Sequence, residues 1–282
     1  MNASDAPAGS SGGAVERTVL RRQGDRVERA RDQVAAEVPV AFAINGAPFA
    51  VMMATPADLA DFALGFVLSE GIVADADEVG IDAIETSLEG ISIALSIPAA
   101  RAATLDARRR NLEGRSGCGL CGAAEIEAVL RPPPPVGPGP SIDAGALDRA
   151  LRGLQRAQPL NALTGATHAA GWADTAGDIV LVREDVGRHN ALDKLVGAMA
   201  HAGIDPQSGF AVATSRASYE MAMKAAQAGI CLLAAISAPT ALAIALAESC
   251  GLTLVGFARE DGCVVYSRPD RLPGIARPEV AA

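Results

Sequence analysis

Aromatic residues are scarce in this 282-residue chain: one Trp, two Tyr and six Phe. Positive charge is also the minority sign, with 24 Lys and Arg against 33 Asp and Glu, a formal balance of −9. Non-specific nucleic-acid binding needs cationic surface and stacking rings, so this composition argues against it. An anionic ligand can still be held in a local basic pocket. Met1 to Val15 has neither a basic stretch nor an apolar run, so no secretory signal is read and a cytoplasmic protein is expected. Five cysteines, an odd number without such a signal, argue against a disulfide framework. What is present is apolar: hydrophobic residues at 50 % allow a sizeable core, which excludes global disorder.

One uncharged run, Ala225 to Ala247, imitates a membrane span. Pro239 interrupts it, so it reads as a buried strand, Ile230 to Ile236, followed by a helix from Pro239. No membrane association is expected.

The chain divides by pattern. Residues 1–17 are expected to be a disordered tail. A small α+β domain should span 18–110. Within it, two apolar runs flank Asn45-Gly46, a dipeptide that tolerates the positive φ angles of a hairpin turn. Thr55 is expected to cap a helix with Pro56 at its first position. That helix carries Leu59, Phe62, Ala63 and Phe66 on one face and stops near Gly71. Residues 111–140 hold a glycine-rich C-x-x-C loop, a short helix at Ala123–Leu130 and a proline-rich stretch read as a stiff exposed connector. Residues 141–270 alternate strands and helices, which predicts a layered α/β domain for binding a cofactor. Residues 271–282 read as a second tail.

Two places could carry chemistry. Gly117-Cys118-Gly119-Leu120-Cys121-Gly122 admits three readings. As a dinucleotide fingerprint it lacks the preceding strand. As half a zinc site, Cys118 and Cys121 need two more ligands, of which His168 is one conceivable source. As a dithiol, one sulfur can resolve chemistry on the other, and glycines leave both uncovered. Cys231, Cys250 and Cys263 stand singly and read as small apolar residues.

The second place is VREDVGRHNALDK, Val182 to Lys194, where charged and polar residues crowd a strand end and a helix start. Ligands of open α/β sheets bind there, and helix starts favour anions. Thr214-Ser215-Arg216-Ala217-Ser218 and Ser237-Ala238-Pro239-Thr240 repeat the arrangement. If the strands are parallel, the helix starts line one rim and suit a phosphate-rich ligand. Arg188, His189, Asn190, Ser215, Arg216 and His168 are its candidate lining. His201 reads as a plain helix C-terminal interaction.

These residues carry a family resemblance. EDVGRHNALDKLVG (Glu184 to Gly197), the CGLC loop, TSRASYEM (Thr214 to Met221) and LTLVGFAR (Leu252 to Arg259) together resemble the FdhD family, sulfurtransferase accessory proteins of formate dehydrogenase. DFALGFVLSEGI (Asp61 to Ile72) and the Asn45-Gly46 hairpin fit its N-terminal part. The resemblance implies a cytidine-deaminase-like layered α/β domain with a smaller N-terminal α+β domain. It implies sulfur taken from a cysteine desulfurase, carried as a persulfide on Cys118 with Cys121 assisting, and delivered to the molybdenum of bis(molybdopterin guanine dinucleotide). It maps cofactor binding onto Phe257, Ala258, Arg259, Glu260, Asp261 and Gly262. Formate dehydrogenase is the expected recipient, a homodimer is the expected assembly, and no permanent metal is expected. A non-enzymatic chaperone for the same cofactor is the alternative. Zinc-dependent deamination fits poorly: Ala169-Ala170 follow His168 where a Glu is needed, and Gly117, not Pro, precedes Cys118.

Overall fold

The computed structural model describes residues 12–109, 132–259 and 262–276. In chain order it holds β1 (Ala14–Gln23), β2 (Arg26–Ala35), β3 (Val38–Ile44), β4 (Ala47–Ala54), α1 (Leu59–Ser69), β5 (Gly80–Thr86), β6 (Ile91–Ser96) and α2 (Ala99–Arg109). Beyond the undescribed segment come α3 (Ala144–Arg156), α4 (Pro159–Thr164), β7 (His168–Asp174), β8 (Ile179–Asp185), α5 (Arg188–His201), β9 (Gly209–Ala213) and α6 (Tyr219–Gln227). β10 (Leu232–Ala235), α7 (Ala241–Cys250), β11 (Thr253–Arg259), β12 (Gly262–Ser267) and α8 (Pro273–Ala276) complete it.

The N-terminal part is a four-stranded sheet, order β4-β3-β6-β5, with a separate β1–β2 ribbon. Asn45 (φ 49°) and Gly46 (φ 78°) make the expected β3–β4 turn. α1 lays Phe62, Phe66 and Val67 on the sheet, with Phe42 meeting Phe62 edge-on at 5.3 Å. Each such buried side chain contributes about 1.5–3 kcal/mol.

The larger sheet has the order β12-β11-β10-β9-β7-β8. β9, β10 and β11 are mutually parallel, and β7 runs antiparallel to both β9 and β8. The pleat sorts side chains between two layers. Ala211, Ala213, Leu233, Ala235 and Leu254 face α5, α6 and α7. Phe210, Val212, Leu232, Ala234 and Val255 face α3. This is a mixed, layered α/β architecture, as expected.

α1 joins the two parts by crossing α5. A Cβ on Gly65 would run into the carbonyl of Asp193, and one on Gly197 into the carbonyl of Asp61. Only glycine at both positions lets the two backbones approach this closely.

Several expectations need correction. Residues 14–17 are not tail: they pair in β1, from Ala14 with Ala35 to Arg17 with Asp32. Composition suggested a tail because a polar ribbon carries little apolar signal. Thr55 does not cap α1, which starts at Leu59 after Asp58, itself at φ 53°. Thr55 bonds to the β8–α5 turn instead. The proline-rich stretch is not a free connector. Pro133 is buried, and Val136 N–H donates to Cys250 O at 2.8 Å. Arg271, expected in a tail, is buried and clips that stretch: its guanidinium donates to the carbonyls of Gly137, Pro138 and Gly251. The expected helix at Ala123–Leu130 lies outside the described residues.

Candidate functional site

The strand order fixes where a ligand can bind. β8, β9, β10 and β11 all end on one edge of the large sheet, and β7 starts there with His168. The links from β8, β9 and β10 lead into α5, α6 and α7, so three helices begin along this rim. Exposed backbone N–H groups and the helix dipole give each start a partial positive charge. Ser218 and Thr240 cap α6 and α7, accepting from Met221 N–H and Ala243 N–H. α5 begins after Gly187, which has no side-chain cap.

The rim loops are knitted together. Thr240 N–H donates to Ala217 O at 3.1 Å, and Phe257 N–H to Ser237 O at 3.2 Å. Ala169 N–H donates to the Thr214 hydroxyl at 2.8 Å. The rim is thus a continuous wall rather than separate mobile turns.

Arg188, His189 and His168 stand on the rim together, with Arg188 its cation. The Nε of Arg188 is buried and has no hydrogen-bond partner among the described residues. An unmet donor on a guanidinium is costly and marks a place for an acceptor. His189 Nε2 lies 3.0 Å from Glu220 Oε2 and 3.5 Å from Ser218 Oγ. His168 is half-buried, and burial lowers its pKa; the nearby Arg188 and His189 push it down further, against a smaller pull from Asp185.

Other expected residues are placed differently. Asn190 is buried, and its amide nitrogen donates to Met53 O and to Asp185 Oδ1, both at 2.9 Å. Ser215 is buried with its hydroxyl donating to Arg216 O at 3.1 Å, whereas Arg216 is exposed. At the end of β11, Phe257 and Arg259 are exposed and Ala258 points into the α3-side core. Phe257 has φ 49°, a left-handed conformation that costs a non-glycine residue roughly 1–2 kcal/mol. Gly262 (φ 143°) follows and has the backbone freedom its turn requires. Glu260 and Asp261 lie outside the described residues, as do Cys118 and Cys121.

The remaining thiols are poor nucleophiles. Cys231 and Cys250 are buried and Cys263 partly so, and burial raises the pKa of all three. Among the described residues, no three His, Cys, Asp or Glu side chains gather as a metal site. No described helix is long and apolar enough to cross a membrane.

Glu220 is not singled out in the sequence, while Asp185, within the Val182–Lys194 cluster, and Thr55, read as a helix cap, have partners that the sequence does not announce. Asp185 accepts from Thr55 N–H and Lys194 Nζ on one oxygen, and from Gly187 N–H and Asn190 Nδ2 on the other. Thr55 comes from the link between β4 and α1, and Glu220 from the first turn of α6. Thr55 and Glu220 lie far in sequence from Asp185 and His189, the groups they contact, so no local pattern announces those contacts. His201, expected as a helix-end residue, contacts Asp61 Oδ1 at 2.7 Å across the α1–α5 crossing.

Comparisons with known proteins give the family and the fold. A family model described as the FdhD/NarQ family matches residues 35–273. The chain is 65 % identical over 270 residues to "Sulfur carrier protein FdhD" of Xanthomonas euvesicatoria pv. vesicatoria, covering 95 % of this chain and 96 % of that protein. It is 50 % identical over 279 residues to the protein of the same name from Variovorax paradoxus, covering 98 % and 99 %. In fold it is similar, at 23 % identity and a TM-score of 0.70, to the crystal structure of "a putative formate dehydrogenase accessory protein from Desulfotalea psychrophila", covering 92 % of this chain and 99 % of that one.

Proposed function

The chain belongs to the FdhD/NarQ family, and from that premise we propose that it is a sulfur carrier serving formate dehydrogenase. Cys118 receives the sulfur, and the rim binds the substrate to which it is delivered, bis(molybdopterin guanine dinucleotide). The curated relatives bear the name sulfur carrier, which supports the first half. The observation that carries the second half is the buried Nε of Arg188, unpartnered among the described residues, beside His168 and His189. A nucleotide pyrophosphate supplies the acceptors that this donor lacks. Phe257, exposed at the adjoining strand end, offers a flat apolar face to a guanine ring, and exposed Arg259 a second cation.

The chemistry balances with two thiols. The Cys118 thiolate attacks the outer sulfur of a desulfurase persulfide; that S–S bond breaks, the desulfurase thiolate leaves, and a Cys118 persulfide forms. At the metal, the Cys121 thiolate attacks Cys118 Sγ. The outer sulfur departs to molybdenum as sulfide, taking both electrons of the broken bond, and a Cys118–Cys121 disulfide remains to be reduced by a cellular dithiol. This sulfurtransferase cycle requires a cysteine desulfurase and formate dehydrogenase as partners, and a reducing compartment such as the cytoplasm. A homodimer presents two rims to the two pterin halves.

The second reading, a chaperone that only shelters the cofactor, is favoured by the rim needing no thiol. Intact-mass analysis after incubation with desulfurase and cysteine separates the two. The carrier gains roughly 32 Da, one sulfur atom, and Cys118→Ala does not. If Cys118→Ala still supports formate dehydrogenase activation, the carrier reading fails and the chaperone reading stands.

A further inference from the structure

The rim belongs to the large domain, yet its central turn is tied to the small one. We infer that Thr55, in the link between β4 and α1, is a positioning residue that sets the orientation of Arg188 and His189. The inference rests on the reading that the rim binds a guanine nucleotide.

The tie uses every polar atom of Thr55. Its backbone N–H donates to Asp185 Oδ2 at 2.9 Å. Its carbonyl accepts from Lys194 Nζ at 2.9 Å. Its hydroxyl accepts from Val186 N–H at 3.1 Å. Two residues upstream, Met53 O accepts from the Asn190 amide at 2.9 Å. Thr55, Asp185 and Lys194 are wholly buried.

Val186 and Gly187 are the residues through which β8 turns into α5. Gly187 brings no side-chain cap, so the helix start is held by borrowed groups: Asp185 Oδ1 on Gly187 N–H, and the Thr55 hydroxyl on Val186 N–H. A Cβ at Gly187 would press on the Asn190 amide at 2.8 Å, so the turn cannot recruit a capping side chain of its own. Arg188 and His189 are the first two residues beyond it. Their aim toward the rim therefore follows the turn, and the turn follows Thr55. Asp185 and Lys194 could serve stability alone. The Thr55 hydroxyl differs, because it bonds only the backbone that leads into Arg188.

The test compares the full-length protein with Thr55→Val, which keeps size and branching and deletes only the hydroxyl acceptor, and with Thr55→Ser, which restores it. GDP serves as the probe in calorimetric titration. The chain has only three histidines, so imidazole NMR resolves His168, His189 and His201 separately. The expected result for Thr55→Val is GDP binding weakened about fivefold, the effect of one lost hydrogen bond, and shifted His168 and His189 signals with His201 unmoved. Thr55→Ser should restore both readouts. Unchanged His168 and His189 signals with unchanged affinity overturn the inference. So does an equal disturbance of His201, which signals general loosening. Should Thr55→Val not fold, Asn190→Ser, which cuts the bonds to Met53 and Asp185, must give the same selective pattern or the inference fails. Absence of GDP binding by the unaltered protein defeats the nucleotide reading, and the histidine signals alone then decide the positioning one.

Discussion

Asp185 and Lys194 lie 2.7 Å apart with neither side chain exposed. The pair closes the seam between the two sheets, because both groups also bind the backbone of Thr55. Breaking a buried pair leaves one charge uncompensated, which costs about 3–5 kcal/mol. Lys194→Met should therefore lose that much stability in urea unfolding. Replacing both partners with apolar residues should not recover it, since the N–H groups of Thr55 and Gly187 would be orphaned. A loss below about 1 kcal/mol in Lys194→Met would mean that water reaches the seam.

The α1–α5 crossing makes a steric prediction. Neither Gly65 nor Gly197 can accept a methyl group without moving the facing backbone. Overpacking of this kind usually costs about 1–3 kcal/mol, and more where backbone itself must shift. Gly65→Ala and Gly197→Ala should each lie at or above the upper end by chemical denaturation. Gly274→Ala, where a Cβ meets nothing within 4 Å, serves as the neutral control.

Much of this architecture is legible in the sequence where the signals are local. Asn45-Gly46 needs only its own φ angles to announce a turn. The strand–helix alternation after Asp178 follows from periodicity, and the rim follows from the strands being parallel. What escaped is what depends on distant partners. Thr55 before Pro56 has the local look of a helix cap, but its hydroxyl goes to Val186, in another domain. Asn190 looks like a site residue among charged neighbours, but its amide is spent on Met53 and Asp185. Arg271 looks like tail because nothing nearby pairs with it; its partners are carbonyls at 137, 138 and 251. The expectation of a site at the β11 end came from the resemblance to a known family and from no local pattern; Phe257 and Arg259 are exposed there.

Thiol labelling provides a third check. Burial raises the pKa of Cys231, Cys250 and Cys263, so little thiolate is present at neutral pH. A thiol reagent should label the folded protein rapidly only at Cys118 and Cys121. In a Cys118→Ala, Cys121→Ala protein, labelling should wait for denaturant. Rapid modification of Cys231 in that double variant would show that the fold opens at the sheet edge held by Arg271.

The pH dependence of stability has a definite sign at His168. Burial first, then Arg188 and His189, hold its folded pKa below the ordinary imidazole value of 6.5. Between the lowered value and 6.5 the unfolded chain binds more protons than the folded one at this residue. Stability from this group therefore rises with pH through that window, is complete above it, and declines on acidification. Carboxylates add their own acid loss, but their titration is centred lower, near about pH 4. Urea midpoints measured between about pH 5.5 and 8 should fall toward the acid end, and His168→Asn should flatten that part of the curve. An oxyanion on the rim changes the balance. By countering the charge of Arg188 it weakens one of the causes that depress His168, so pyrophosphate should reduce the acid slope in the unaltered protein. It should leave the slope of His168→Asn unchanged. An acid slope that survives His168→Asn in full would assign the loss to another group and remove His168 from the electrostatics of the rim.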